Sequence, residues 1–78
     1  MEQKLKQIFS DILKLSIDEI DDETSMKTVK KWDSLKHMKL ITAIEEEMGV
    51  PRLGMNEIVK MTDFKIVKEI LSEKGVVF

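Results

Sequence analysis

The chain has 78 residues and contains no cysteine, which excludes disulfide bonds and thiolate metal sites. Hydrophobic residues make up 42% of it and charged residues 36%, so we expect one folded domain spanning residues 1–78 rather than a disordered chain. A net charge of −2 does not favour nucleic-acid binding, no apolar stretch approaches the roughly 18 residues of a membrane span, and no signal peptide is visible.

The first segment predicts an amphipathic helix from about Glu2 to Leu15. Its apolar residues recur at spacings of three and four and form one narrow stripe: Leu5, Ile8, Phe9, Ile12 and Leu13. Residues 16–19 match a capping box, so a short helical turn is expected there. We expect Ile20 to anchor the loop that follows to the core.

A polar loop with two charged clusters connects this helix to the next. The acidic cluster comprises Asp18, Glu19, Asp21, Asp22 and Glu23, and the basic cluster comprises Lys27, Lys30 and Lys31. Runs of charge of this kind are usually solvated, and we interpret both clusters as parts of an exposed loop.

The second helix is predicted to begin at Asp33 or Ser34 and to end at Gly49. Aspartate is a good N-cap whose negative charge also suits the positive end of a helix. Glycine is a common C-terminal stop, and Pro51 follows it closely. A long helix is therefore expected directly after the polar loop.

Two further helices complete the predicted fold. Residues 55–61 suffice for a short helix packed on others, and Thr62 can cap a last helix from Asp63 to Lys74. The apolar stripe of that last helix consists of Phe64, Val67, Ile70 and Leu71. We predict an all-α bundle of three main helices plus one short helix, with a long loop between the first and second helices.

Steps of 100° per residue divide the second helix into two faces. The core face is predicted to carry His37, Leu40, Ile41, Ile44 and Met48. The opposite face is predicted to carry Leu35, Lys39, Thr42 and Glu46, with Met38 at the border. A serine at the helix start thus has an exposed leucine beside it.

The tripeptide Asp33-Ser34-Leu35, followed by Leu40-Ile41 and residues 43–47, resembles the second helix of acyl carrier proteins. The resemblance extends over most of the chain: an amphipathic first helix, a long acidic loop, a short third helix and a last helix that begins at a threonine. The tripeptide alone would be weak, but its position at a helix start within a four-helix pattern is specific.

This resemblance implies a carrier and not an enzyme. In the family, a phosphopantetheinyl transferase moves 4′-phosphopantetheine from coenzyme A onto the motif serine, here Ser34. The arm ends in a thiol, which holds acyl, aminoacyl or polyketide-type intermediates as thioesters for activating and transferring enzymes. We also expect a cytoplasmic monomer, and we predict neither nucleic-acid binding nor a metal site.

The same resemblance assigns expected roles to the residues around Ser34. Those expected to contact partner enzymes are Asp33, Leu35, Lys36, Met38, Lys39, Thr42 and Glu46. The candidates for a cargo pocket or for contact with the arm are Trp32, His37, Ile41 and Met61. For Trp32 the default interpretation is packing on the loop, and shielding of the linkage or contact with a partner are the alternatives. The run Glu45-Glu46-Glu47 can be either a solvated helix end or a site for basic partners, since negative charge near a helix C-terminus is locally unfavourable.

Two other functions can be read from these residues. Asp33, Ser34 and His37 are the residue types of a serine hydrolase, but His37 is predicted to face the core, away from Ser34, and a triad needs the base beside the nucleophile. The alternative that stays open is a small helical interaction domain of carrier-like fold without a prosthetic group.

The chain departs from the pattern of fatty-acid carriers in its charges. Lys36 and Lys39 stand where those carriers have acids, and Trp32 replaces a small residue before the aspartate. Like charges reject wrong partners. We therefore expect a specialised carrier with its own set of partner enzymes rather than the housekeeping carrier of fatty acid synthesis.

Overall fold

The computed structural model describes residues 2–78, and within this range the chain forms four α-helices. They are α1 (Glu2–Leu13), α2 (Ser34–Met48), α3 (Met55–Ile58) and α4 (Phe64–Glu73), and a 3₁₀ turn lies at Ile17–Glu19. The prediction of three main helices and a short one is confirmed. Met1, the first residue of the predicted domain, lies outside the described residues. In residues 2–78 no helix combines the length and apolar character needed to cross a membrane.

The three longer helices bury their apolar faces in one core. The residues that these helices contribute to it are Leu5, Ile8, Phe9 and Leu13 of α1, Leu40, Ile41, Ile44 and Met48 of α2, and Phe64, Val67, Ile70 and Leu71 of α4. The ring of Phe9 packs edge-to-face on Phe64, with centroids 5.1 Å apart, and on Trp32, with centroids 5.2 Å apart. Burial of each large apolar side chain contributes about 1.5–3 kcal/mol. Trp32 therefore fixes the segment just before α2 to the centre of the core.

The C-terminus of α1 differs from the prediction. The helix ends at Leu13 rather than at Leu15, because Lys14 adopts the left-handed conformation with φ 59°. The Ser10 carbonyl then accepts hydrogen bonds from both Lys14 N (2.9 Å) and Leu15 N (3.3 Å). Lysine carries no sequence signal for this conformation, which glycine or asparagine usually supplies.

The last two helices are also shorter than predicted. α3 ends at Ile58 instead of Met61, and the chain continues in a tighter turn in which Met61 N donates to Ile58 O (3.2 Å). The predicted cap of α4 is wrong, since the N-cap is Asp63, whose carboxylate accepts from Ile66 N at 2.7 Å. The capping box at residues 16–19 is present, with Ser16 N donating to Glu19 Oε1 at 3.0 Å.

Candidate functional site

Asp33 determines where α2 begins. Its backbone is extended (φ −99°, ψ −175°), and its side chain accepts a hydrogen bond from Lys36 N at 2.9 Å. Its carbonyl accepts the first intrahelical bond of α2, from His37 N at 2.8 Å. Ser34 is consequently the first helical residue, within the predicted start. At the other end Gly49 caps the helix in the left-handed conformation (φ 66°), also as predicted.

Ser34 presents its hydroxyl at the positive end of a long helix. The residue is exposed, and the neighbouring Leu35 is 65% exposed, so a group attached to Ser34 would leave the protein surface directly. The first N–H groups of a helix have no intrahelical partner, and the helix dipole favours an anion there by about 0.3–1 kcal/mol. An exposed hydroxyl in this position suits a phosphodiester, which carries one negative charge.

Directly below this turn, Trp32 and His37 form a buried pair. Trp32 Nε1 donates to His37 Nδ1 at 3.0 Å, and His37 Nε2 lies 2.8 Å from the carbonyl oxygen of Ile58. Both imidazole nitrogens are thus occupied by groups other than Ser34. The histidine faces the core as predicted, and it cannot serve Ser34 as a general base in this arrangement, which agrees with the rejection of a serine hydrolase from the sequence.

A shallow groove of about 420 Å³ runs along the exposed face of α2 from the Ser34 end. Its lining residues are Leu35, Met38, Lys39, Thr42, Ala43, Glu46 and Glu47. Five of the residues predicted from the resemblance to contact partners therefore lie side by side on one surface: Leu35, Met38, Lys39, Thr42 and Glu46. Sequence reasoning did not single out Ala43 or assign Glu47 to this surface, although helical spacing places Glu47 one turn beyond Ala43.

The side-chain charges along α2 run in the same direction as the helix dipole. Lys36 and Lys39 lie towards the positive N-terminus, and Glu46 and Glu47 lie towards the negative C-terminus. The first turn of α2 contains no acidic residue, and its last turn contains no basic residue. Helices are stabilised by the opposite arrangement. Apart from the exposed N-cap Asp33, this pattern opposes local stability. It leaves Lys36 and Lys39 near Ser34 and the two exposed glutamates at the far end of the helix.

Glu45 has a structural role that the sequence did not show. It is half-buried, and its Oε2 accepts a hydrogen bond from Leu53 N at 2.7 Å. This contact ties the C-terminal half of α2 to the segment that leads into α3. Of the three consecutive glutamates, only the exposed Glu46 and Glu47 remain available to a partner.

The residues predicted to line a cargo pocket or contact the arm are all buried: Trp32 (2% exposed), His37 (8%), Ile41 (3%) and Met61 (0%). The structure brings Trp32 and His37 together, and none of the four lines the α2 groove. A role in holding cargo would require the bundle to open around them.

Comparison with known proteins agrees with this geometry. The sequence model of the family described as "Phosphopantetheine attachment site" matches residues 3–60, which is more than half of the chain. The chain is also 28% identical over 72 residues to "Polyketide-8 synthase acyl carrier protein 2" of Streptomyces avermitilis, across 92% of this chain and 82% of that protein.

A small four-helix bundle with an exposed serine at the start of its second helix defines a carrier domain. The chain belongs to the acyl carrier protein family, whose prosthetic group is 4′-phosphopantetheine. Members of this family carry acyl groups and do not catalyse reactions. They work with a phosphopantetheinyl transferase, which attaches the group, and with acyl-handling synthase enzymes.

Proposed function

We propose that Ser34 is the residue to which 4′-phosphopantetheine is attached. The observation that carries this proposal is the exposure of Ser34 as the first residue of α2, held in place by the cap at Asp33. When bound, the group supplies a flexible arm with a terminal thiol that carries acyl groups as thioesters. Ser34 holds the phosphodiester, and the positive end of α2 favours its negative charge.

Intact mass after incubation with coenzyme A and a promiscuous phosphopantetheinyl transferase tests the attachment site. The wild-type chain should gain the mass of one phosphopantetheine, and Ser34→Ala should gain nothing while its circular dichroism spectrum stays helical. Ser72→Ala, at an exposed serine of α4, is the matched control and should be modified like the wild type. Modification of Ser34→Ala, or no modification of the wild type with any transferase, would overturn the proposal.

We further propose that the α2 groove is the surface that partner enzymes contact, and that these partners differ from the enzymes of housekeeping fatty acid synthesis. Lys39, which lines the groove, and Lys36, in the first turn of α2, support this, because both add positive charge at the Ser34 end of the helix. A partner with acidic groups near its active-site entrance and basic groups opposite Glu46 and Glu47 would be complementary. The cargo is then an acyl, aminoacyl or polyketide-type group, and the similarity to a polyketide synthase carrier favours the last.

Charge reversal tests this specificity. The double variant Lys36→Glu/Lys39→Glu should be loaded and elongated by fatty-acid enzymes faster than the wild type, because the repulsion from basic docking sites is removed. Lys65→Glu, an exposed position on α4 outside the groove, is the control and should change little. If the wild-type holo protein already serves these enzymes as well as a housekeeping carrier does, the proposed specialisation is wrong.

A further inference from the structure

Trp32 and His37 occupy the two positions that join the start of a helix to the chain before it. Trp32 directly precedes the N-cap Asp33, and His37 is the fourth residue of α2. Apolar side chains at these positions often pack on each other and fix the angle at which the chain enters a helix. Here the two rings are tilted by 35° with centroids 5.9 Å apart, and a hydrogen bond of 3.0 Å connects them.

The hydrogen-bond network assigns the proton on His37. An indole N–H only donates, so His37 Nδ1 must accept from Trp32 Nε1 with its lone pair. The ring proton then lies on Nε2, which donates to the carbonyl oxygen of Ile58 at 2.8 Å. One imidazole therefore connects the loop before α2, the first turns of α2 and the end of α3.

The hydrogen bonds of His37 to Trp32 and Ile58 form a bridge across the turn that contains Ser34, and neither of them involves an atom of Ser34. Asp33 and Ser34 are part of the turn between Trp32 and His37, and His37 N also donates to the carbonyl of Asp33 at 2.8 Å. Trp32 is fixed from the other side by the edge-to-face contact with Phe9 in the core. Since Ser34 itself is exposed, the direction of its hydroxyl depends on how firmly these neighbours hold the backbone.

We infer that Trp32 and His37 are positioning residues that aim the Ser34 hydroxyl at the transferase, an inference that rests on Ser34 being the attachment site. The bridge acts through the backbone of Asp33 and Ser34, so its loss should reduce the rate of transfer more than the affinity for the transferase. Misplacement of a reacting group by about 1 Å can cost up to about a hundredfold in rate. The bridge also links the orientation of Ser34 to α3 through Ile58.

Three variants separate the hydrogen bonds from the ring packing. Trp32→Phe keeps an aromatic ring and removes the indole N–H. His37→Phe keeps a ring and removes both nitrogens, whereas His37→Gln retains an amide that can accept and donate. With the transferase, Trp32→Phe and His37→Phe should lose about tenfold in kcat with KM little changed, and His37→Gln should recover part of the loss. Ile44→Val, a buried change further along α2, is the control for stability alone and should leave kcat unchanged.

A second readout does not depend on the transferase. The ¹⁵N spectrum of the imidazole should show the Nε2-protonated tautomer in the wild type, and the Lys36 amide, which Asp33 caps, should exchange faster in Trp32→Phe than in Ile44→Val. If His37→Phe does not fold, Trp32→Phe and His37→Gln decide the outcome.

The possible failures are distinguishable. A wild-type chain that is never modified overturns the attachment at Ser34, and the tautomer and amide exchange then still test the bridge. A wild-type chain that is modified while folded Trp32→Phe reacts with the same kcat overturns the positioning role. The Nδ1-protonated tautomer in the wild type would overturn the bridge itself.

Discussion

Ser25 and Asp63 form an antiparallel bridge that fastens the loop between α1 and α2 to the start of α4. Met26 N donates to Thr62 O at 3.0 Å, and Phe64 N donates to Thr24 O at 2.8 Å. The long loop is therefore attached at its middle as well as at its ends. This attachment shortens the free segment that leads to Trp32 and to the proposed attachment site.

The cap of α4 provides a direct test of this region. Asp63→Ala should lower the free energy of unfolding by about 1 kcal/mol, because Ile66 N loses its acceptor at a half-buried position. Thr62→Ala is the control and should cost much less, since Thr62 contributes its backbone carbonyl to the loop contact and that carbonyl is retained. The free energy of unfolding of both variants is measured by urea denaturation. A larger loss for Thr62→Ala would contradict the assignment of Asp63 as the cap.

The ion pairs of Lys68 predict how stability depends on pH. Lys68 Nζ lies 2.7 Å from Asp22 Oδ1 and 3.2 Å from Glu2 Oε1. The hydrogen bond from Lys68 lowers the pKa of Asp22 below its ordinary 3.8, and the hydrogen bonds to Asp22 and Glu2 raise the pKa of Lys68 above its ordinary 10.5.

The two pKa shifts stabilise the folded protein over different pH ranges. A lowered aspartate pKa contributes stability above about pH 3.8 that is lost as the pH falls through the folded value. A raised lysine pKa contributes stability below about pH 10.5 that is lost as the pH rises through the folded value.

Replacement of Lys68 should therefore make the stability of the protein less dependent on pH. Lys68→Met keeps the aliphatic stem, and its thermal midpoint should lie below that of the wild type near neutral pH and approach it at both extremes. Lys4→Met, at an exposed position on α1, is the control and should run parallel to the wild type. A constant difference between Lys68→Met and the wild type from pH 2 to 11 would show that the ion pairs contribute nothing.

The charge pattern of α2 predicts a conflict between stability and binding. Glu47→Lys should raise the free energy of unfolding by about 0.3–1 kcal/mol, because a positive charge suits the C-terminal end of the helix. The same variant should bind its partner enzymes more weakly if Glu47 contacts basic groups in them. Glu23→Lys makes the same change of net charge in an exposed loop, and an equal gain from it would show that net charge and not the helix end is responsible.

Local sequence signals predicted α2 well. Asp33, Gly49 and the stripe of core residues act within the helix itself, so the helix start, the helix end and the buried face could all be read from spacing. The errors have two sources, one non-local and one local. The α4 cap is Asp63 because the backbone around it pairs with the distant loop, and α1 stops at Lys14 because that residue adopts a left-handed conformation.

At the candidate site, too, the features set by local helix geometry were predicted and those set by distant contacts were not. Exposure of Leu35 and burial of His37 follow from steps of 100° along a helix, and both predictions are confirmed. The partner of His37 could not be predicted, because the direction of the Trp32 ring depends on how the long loop folds onto Phe9. The hydrogen bond from Leu53 to Glu45 joins two segments in the same unpredictable way.

The burial of Trp32 has a practical consequence for measurement. It is the only tryptophan, and the chain has no tyrosine, so the intrinsic ultraviolet fluorescence comes almost entirely from one indole. That indole donates to His37 and lies two residues before Ser34. The unlabelled protein therefore contains an optical reporter beside the proposed attachment site. Its emission wavelength and quenching can follow attachment, loading and partner contact in real time without any added dye.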